Sequence, residues 1–280
     1  MALLLTLLAM TAVAGLLGWS SHHTITGVYD QAVKLLPSRG QSAPLDPFQL
    51  KPHLSLLSNT VIYVSLIGAL LAVLIGHLSV ADDQSGGVGR LVFTRPMPRS
   101  SYVGGKVLGA GVVLAAALAV SLIIGVVELF IVNRTMPTGV EVERLVLFYS
   151  LSWLYLMGFV LIGMIAVLMT RSRSLSLLSA MGAWLVVTFV APQLTSGLRP
   201  TASLNPIADP VGTSQSFFKV TTLLRPLSVA EQYKSASGAI LQTGLEESIA
   251  LTPARAIPIA GLIAVLALAA VLLVQHHDFS

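Results

Sequence analysis

Residues 107–132 read VLGAGVVLAAALAVSLIIGVVELFIV, a stretch in which Glu128 is the one ionisable side chain. At about 1.5 Å per residue a helix of this length measures about 39 Å, and the hydrocarbon core of a bilayer is about 30 Å thick. A run so long and so apolar has one stable setting, a helix crossing the membrane with every backbone group bonded within itself. Working outward, five more stretches have the same character: residues 2–19, 61–80, 145–170, 175–194 and 256–275, the fifth span of the series carrying Pro192 near its end. The expected fold class is an all-α integral membrane protein with six transmembrane helices forming one domain over residues 1–280. Two longer connections remain, residues 20–54 and 195–255.

The composition agrees. The chain of 280 residues is 55% hydrophobic and 10% charged, with a mean hydropathy of +0.84, whereas an average soluble domain is about 25% charged. Too few Lys, Arg, Asp and Glu are present to solvate a water-facing surface, which excludes a soluble enzyme, a disordered chain and a secreted scaffold. The absence of cysteine removes disulfides, thiolate nucleophiles and Cys-ligated metals. A net charge of +4, thinly scattered, gives nucleic acid nothing to bind.

The short loops set the orientation. Arg90, Arg95, Arg99 and Lys106 lie between the second and third spans, and Arg171 and Arg173 between the fourth and fifth. The opposite loop holds Arg134 and Arg144. Basic residues mark the cytoplasmic side, so both termini are expected in the cytoplasm of a prokaryote, at the inner membrane, with residues 20–54 and 195–255 outside. Ala12-Val13-Ala14 resembles a signal-peptidase site, but no Lys or Arg precedes the apolar run, and a retained first helix is the expectation. In the second outer segment, Asp209-Pro210 and Ser228-Val229-Ala230-Glu231 read as the starts of two short helices, the latter as a capping box.

The first inner loop carries the most information. Asp82-Asp83 and a glycine run precede Val88, Leu91, Val92 and Arg95 at helical spacing, and Pro96-Met97-Pro98 ends the pattern. This is a short amphipathic helix lying at the cytoplasmic membrane surface. It either anchors the loop or docks a soluble partner. The order Asp83, Gly87, Arg90, Leu91, Pro96, Arg99, then Gly105-Lys106 opening the third span, resembles the first cytoplasmic loop of type 2 ABC-transporter permeases. Ser172-Arg173-Ser174, Leu204-Asn205-Pro206 and the ending His276-His277-Asp278-Phe279 are similar to further features of that family, nearest to the permease of the nitrous-oxide-reductase maturation system. Ser85 stands at the family's second acidic position and Val88 beside its glycine. Members begin with a basic amphipathic segment, whereas this sequence opens directly in an apolar run; either its start is truncated or that segment is absent.

The resemblance implies a transmembrane subunit that dimerises and is driven by two copies of a separate ABC ATPase. That partner would dock on Asp83, Gly87, Arg90, Leu91, Pro96, Arg99 and Lys106, with Arg171 and Arg173 in the second inner loop. The second permease copy is either identical or a better-conforming sister subunit, and an extracytoplasmic partner protein is a further expectation. The chain itself offers no ATPase chemistry. Gly105-Lys106 is followed by Val107, and Ser100 stands where a Walker A motif needs its first glycine. ATP and Mg are thus expected on the partner, with no catalytic residue, metal or cofactor here.

Glu128 is the one candidate for an intramembrane functional residue. His77 reads as interfacial, and His22-His23 and His276-His277 as solvated helix ends rather than metal ligands. The tryptophans and tyrosines read as interfacial-belt or helix-packing residues. The small residues of the third span, from Gly104-Gly105 through Gly109, Gly111 and Ala115–Ala117 to Ala119, permit close backbone approach, either in helix packing inside the subunit or in a dimer seam. Two other classes remain open beside the permease: a non-transporting anchor or assembly factor binding through residues 195–255, and a secondary transporter. The apolar mid-spans count against the second.

Overall fold

The computed structural model describes residues 2–35, 54, 57–85, 99–133, 136–170, 172–195, 228–241 and 257–276. Among them every element is helical. Helix α1 is Ala2–Leu35. Helix α2 runs unbroken over residues 58–85 as Ser58–Tyr63, a π-helical turn Val64–Gly68, and Ala69–Ser85. Helices α3 and α4 are Arg99–Asn133 and Gly139–Met169. Helix α5 covers residues 173–195 as Arg173–Leu185, a second π-turn Val186–Val190, and Ala191–Thr195. Helices α6 and α7 are Val229–Ile240 and Ile257–His276. Four helices are long and apolar enough to cross a membrane, Ser58–Asp83, Ser101–Val132, Gly139–Met169 and Arg173–Leu194, and Ile259–Val274 is a shorter apolar helix. The expected amphipathic helix of residues 86–98 and the helix after Asp209-Pro210 lie outside the described residues.

Helix α1 overruns its expected end at Trp19 by a wide margin. Thr11 Oγ1 and Ser121 Oγ are hydrogen-bonded at 3.1 Å, and Gly15 faces the Glu128 carboxyl. Both indices rise together, so α1 and α3 run parallel. Five residues beyond Glu128, α3 ends at Asn133. Residues 20–35 of α1, first read as part of a connecting segment, therefore continue past it as helix, with His23, Thr24, Asp30 and Lys34 exposed. Nothing between Trp19 and Leu35 breaks a helix, since the stretch lacks proline and has a lone glycine, Gly27.

The centre of the bundle is α4, whose residues from Tyr155 to Leu161 are all buried. Its contact with α2 is backbone on backbone. A Cβ on Gly76 would fall on the Val160 carbonyl oxygen, and one on Gly163 would fall on the Val73 carbonyl oxygen and close on the His77 amide. The two glycines are thus a reciprocal pair, one from each helix. The seam expected in α3 is not this one: Gly104, Gly105 and Gly109 have open space beside them, and Gly111 alone packs, against Trp153 and Met157.

Polar side chains stitch the remaining helices. Trp153 Nε1 donates to Gly111 O at 2.9 Å and Tyr149 Oη to Ser121 O at 3.0 Å, joining α4 to α3. Each π-turn disturbs the helical ladder, and in lipid a freed carbonyl has to find another donor. The α2 turn finds two, because Tyr155 Oη donates to Ser65 O at 3.2 Å and Trp184 Nε1 to Leu66 O at 3.1 Å. These aromatic residues are packing elements of the bundle.

Helix α6 comes from the second long connection and returns into the bundle, against α2, α4, α5 and α7. Tyr233 is fully buried, stacks on Tyr155 with ring centroids 4.2 Å apart, and bonds Ser152 at 2.8 Å. Tyr155 is sixteen residues past Gly139 in the 31-residue α4, so α6 reaches half-way along it. The helix starts where the sequence places it, after Ser228, but Ser228 makes no side-chain cap bond and its hydroxyl is buried without a partner. The capping box that does form is Thr138-Gly139-Val140-Glu141 at the start of α4.

Gly76→Ala or Gly163→Ala should each destabilise the protein by about 1–3 kcal/mol, the usual cost of overpacking. Gly109→Ala should be neutral or slightly stabilising, since alanine favours helix and has room. Thermal unfolding in detergent separates the two classes, and equal midpoints for all three variants would refute the backbone contact.

Candidate functional site

The charged end of the bundle gathers the end of α2, the start of α3 and the start of α5. Asp83 accepts a hydrogen bond from Tyr102 Oη at 2.8 Å and pairs with Lys106 Nζ at 2.7 Å. Tyr102 and Lys106 are one helical turn apart on α3, which places both on one face, and the ammonium also lies 5.7 Å from the centre of the Tyr102 ring. The neighbouring Asp82 pairs with Arg173 Nη2 at 2.8 Å. The two acidic residues, adjacent in sequence, therefore face two different helices.

The two pairs differ in strength. Asp83 and Lys106 keep 17% and 30% side-chain exposure, while Asp82 and Arg173 keep 64% and 54%. An exposed ion pair contributes about 0–1 kcal/mol, so the Asp82–Arg173 pair orients more than it holds. The Asp83 group is partly withdrawn from water and has three favourable contacts, and it fixes α2 to α3.

Behind the Arg173 pair lies a buried link. His77 is 2% exposed, and its Nε2 lies 2.9 Å from Ser176 Oγ. Ser176 Oγ already donates to Arg173 O at 2.8 Å, so here the hydroxyl accepts from Nε2–H and fixes the tautomer. Nδ1 is then a bare acceptor, buried without a partner. His77 is thus a packed contact between α2 and α5, in place of the interfacial histidine expected from its position in the span.

Of the residues singled out from sequence, the structure brings Asp83, Lys106 and Arg173 to one end of the bundle. Arg99 is the first residue of α3, its side chain outside the described residues, and Gly87, Arg90, Leu91, Pro96 and Arg171 also lie outside them. Those of residues 86–98 connect Ser85 to Arg99, so this connection has its base closed by the Asp83–Tyr102–Lys106 contacts. Glu128 belongs elsewhere. It lies 22 residues from Lys106 along α3, about 33 Å at helical rise, where its carboxyl rests on Gly15 and its Oε2 is buried with no hydrogen-bond partner. The reading of sequence missed Tyr102, Ser176 and the role of Asp82. The i,i+4 spacing of Tyr102 and Lys106 was a usable signal, whereas nothing local announces the His77–Ser176 contact. At the opposite, Thr138 end, Arg144 Nη1 donates to Ile240 O at 3.4 Å.

In comparison with known proteins, the family model described as "ABC-2 family transporter protein" matches residues 1–278. No curated protein matches the chain.

A double-mutant cycle on Asp83→Ala and Lys106→Ala should show a coupling near 1 kcal/mol, and one on Asp82→Ala and Arg173→Ala at most about half of that. Both couplings should shrink as salt rises, the exposed pair's first. Equal couplings measured by thermal unfolding would contradict the difference in burial.

Proposed function

The chain belongs to the ABC-2 family of transporter proteins, and on that basis we propose that it is the permease of a dimeric, ATP-driven assembly. Family membership makes it a multi-pass transmembrane subunit of an ABC transporter, working with an ABC ATPase carried on another chain. The finer reading has six spans, with α1 and α7 added to the four long apolar helices and both termini in the cytoplasm of a prokaryote. The Asp83 end is then cytoplasmic and the Thr138 end extracytoplasmic. Two ATPase copies supply ATP and Mg, and two permease subunits, identical or sisters, form the pathway or the force-transmitting unit. The nearest subgroup in sequence pattern is the nitrous-oxide-reductase maturation permease, and an extracytoplasmic partner protein belongs to the same reading.

The observation that carries this reading is the closed base of residues 86–98. A loop that receives force from an ATPase needs a stiff attachment at both ends, and Asp83 with Tyr102 and Lys106 provides one. ATP binding closes the ATPase pair, the loop bearing Gly87, Arg90, Leu91, Pro96 and Arg99 moves with it, and Arg171 and Arg173 follow from the second loop. Transport or force transmission then requires that ATP and cargo each favour one arrangement of the helices over the other. Glu128 stays a candidate for contact with cargo, supported by its buried oxygen without a donor. The anchor reading, which puts a binding surface on residues 195–255, is less well supported, since the inward face of α6 is buried in the bundle.

Purified in mild detergent from its host, the protein should bring down an ABC ATPase at one-to-one stoichiometry. Arg90→Glu with Arg99→Glu should lose that subunit, or keep it with ATP hydrolysis no longer linked to movement, while the permease still elutes as a folded species. A preparation without any ATPase, under conditions where comparable complexes survive, would overturn the proposal.

A further inference from the structure

Lys106 and Glu128 frame the apolar run of α3, with no ionisable side chain between them. At helical rise they stand about 33 Å apart, and the hydrocarbon core of a bilayer is about 30 Å thick. With Lys106 paired to Asp83 at one boundary, Glu128 comes to the other, on the Thr138 side. There its carboxyl is held in a defined place. A Cβ on Gly15 of α1 would fall on it, so this buried glycine is the notch that admits it. Ser121 and Glu128 share one face of α3, and Thr11 and Gly15 share the facing side of α1. The hydroxyls of this seam are engaged: Thr11 and Ser121 bond each other at 3.1 Å, and Tyr149 Oη donates to Ser121 O. Glu128 Oε2 is enclosed without a hydrogen-bond partner, and among the described residues the carboxyl has no ion pair. Arg144, at the same end of the bundle, is turned to Ile240 O on α6. The side chain is only partly buried, so it remains open to the membrane boundary.

An unmatched carboxylate in this position can meet three kinds of cation. An inorganic ion needs several oxygens around it, and no group of three metal-ligating side chains is present among the described residues. A basic side chain of a water-soluble protein would have to pass the stretch of α1 that rises beyond Gly15 to Leu35, about 30 Å long. An amine carried on an amphiphile reaches this depth by itself, its chain in the hydrocarbon and its ammonium at the boundary, with three N–H donors to offer. Leu16 beside Gly15 and Val127 beside Glu128 are exposed and give the chain apolar surface.

We propose that the Glu128–Gly15 notch binds the primary ammonium of a membrane amphiphile, phosphatidylethanolamine being the bilayer lipid of that chemistry. Charge and donors set the class. A phosphatidylglycerol headgroup brings an anion to a carboxylate, and a choline headgroup brings a positive charge with no N–H. The proposal deepens the reading of Glu128 as a contact for cargo and rests on it, the cargo class being an amphiphilic amine.

For the test, the permease with its ATPase subunits is purified in detergent and given equal amounts of phosphatidylethanolamine, phosphatidylcholine and phosphatidylglycerol with identical acyl chains. Bound lipid is counted by native mass spectrometry. Phosphatidylethanolamine should be retained at least about fivefold over each of the others, the scale of one ion pair. Glu128→Gln, the same size without the charge, should bring the three lipids to parity while the complex still elutes as a folded species. Glu128→Asp should keep a reduced preference. Free ethanolamine, which lacks the chain, should not displace the lipid. Parity in the parent protein, or a preference that survives Glu128→Gln, overturns the site, and displacement by free ethanolamine overturns the lipid as its ligand. ATP hydrolysis in nanodiscs separates the site from the cargo reading. A Glu128-dependent rise with phosphatidylethanolamine supports both, whereas lipid bound through Glu128 with hydrolysis unchanged leaves the site standing and overturns its use for cargo.

Discussion

Two glycines decide how the bundle is assembled. Gly76 of α2 and Gly163 of α4 each leave room for a carbonyl oxygen of the other helix, so the two helices meet at backbone distance over about one turn. Inside a membrane no hydrophobic effect drives helices together, and close packing with polar contacts has to do so instead. The crossing supplies the packing. It also fixes the height of α2 relative to α4, and this height brings Ser65 and Leu66 to Tyr155 and Trp184, and His77 to Ser176. A bulkier side chain at either glycine would displace every one of these contacts together.

The charged end follows the same logic at lower cost. Asp82 and Asp83 are adjacent and diverge, one toward α5 and one toward α3, which joins three helices from a single point on α2. Contacts of unequal strength are useful there. The partly buried Asp83 group holds α2 and α3 as a unit, while the exposed Asp82–Arg173 pair gives orientation and can be exchanged for water.

The sequence carried four membrane-crossing segments well, because a shortage of charge over twenty or more residues admits no other structure. It drew attention to Asp83, Lys106 and Arg173 through a pattern shared by a family, and said nothing of the contacts they make with one another and with Tyr102 and Asp82. It was much less informative about which faces meet. Within the subunit, Gly104, Gly105 and Gly109 of the glycine-rich start of α3 face open space, and the two glycines that form the crossing are inconspicuous in leucine- and valine-rich runs. Thr138-Gly139-Val140-Glu141 and Ser228-Val229-Ala230-Glu231 have the same capping signature. The first forms it at an exposed helix start, whereas Ser228 is enclosed by neighbouring helices. The end of α1 was misjudged for the opposite reason: residues 20–35 are polar, but polarity says where water is, and a helix ends where something breaks it.

Helix α6 imposes an order on biogenesis. Its twelve residues are too short and too polar to enter a bilayer alone, and the groove that receives it is made by α2, α4, α5 and α7, the last of which is synthesised after it. The slot for Tyr233 beside Ser152 and Tyr155 is therefore complete only when the C-terminal helix has joined the bundle. Until that moment the nascent protein has an open slot half-way through its core.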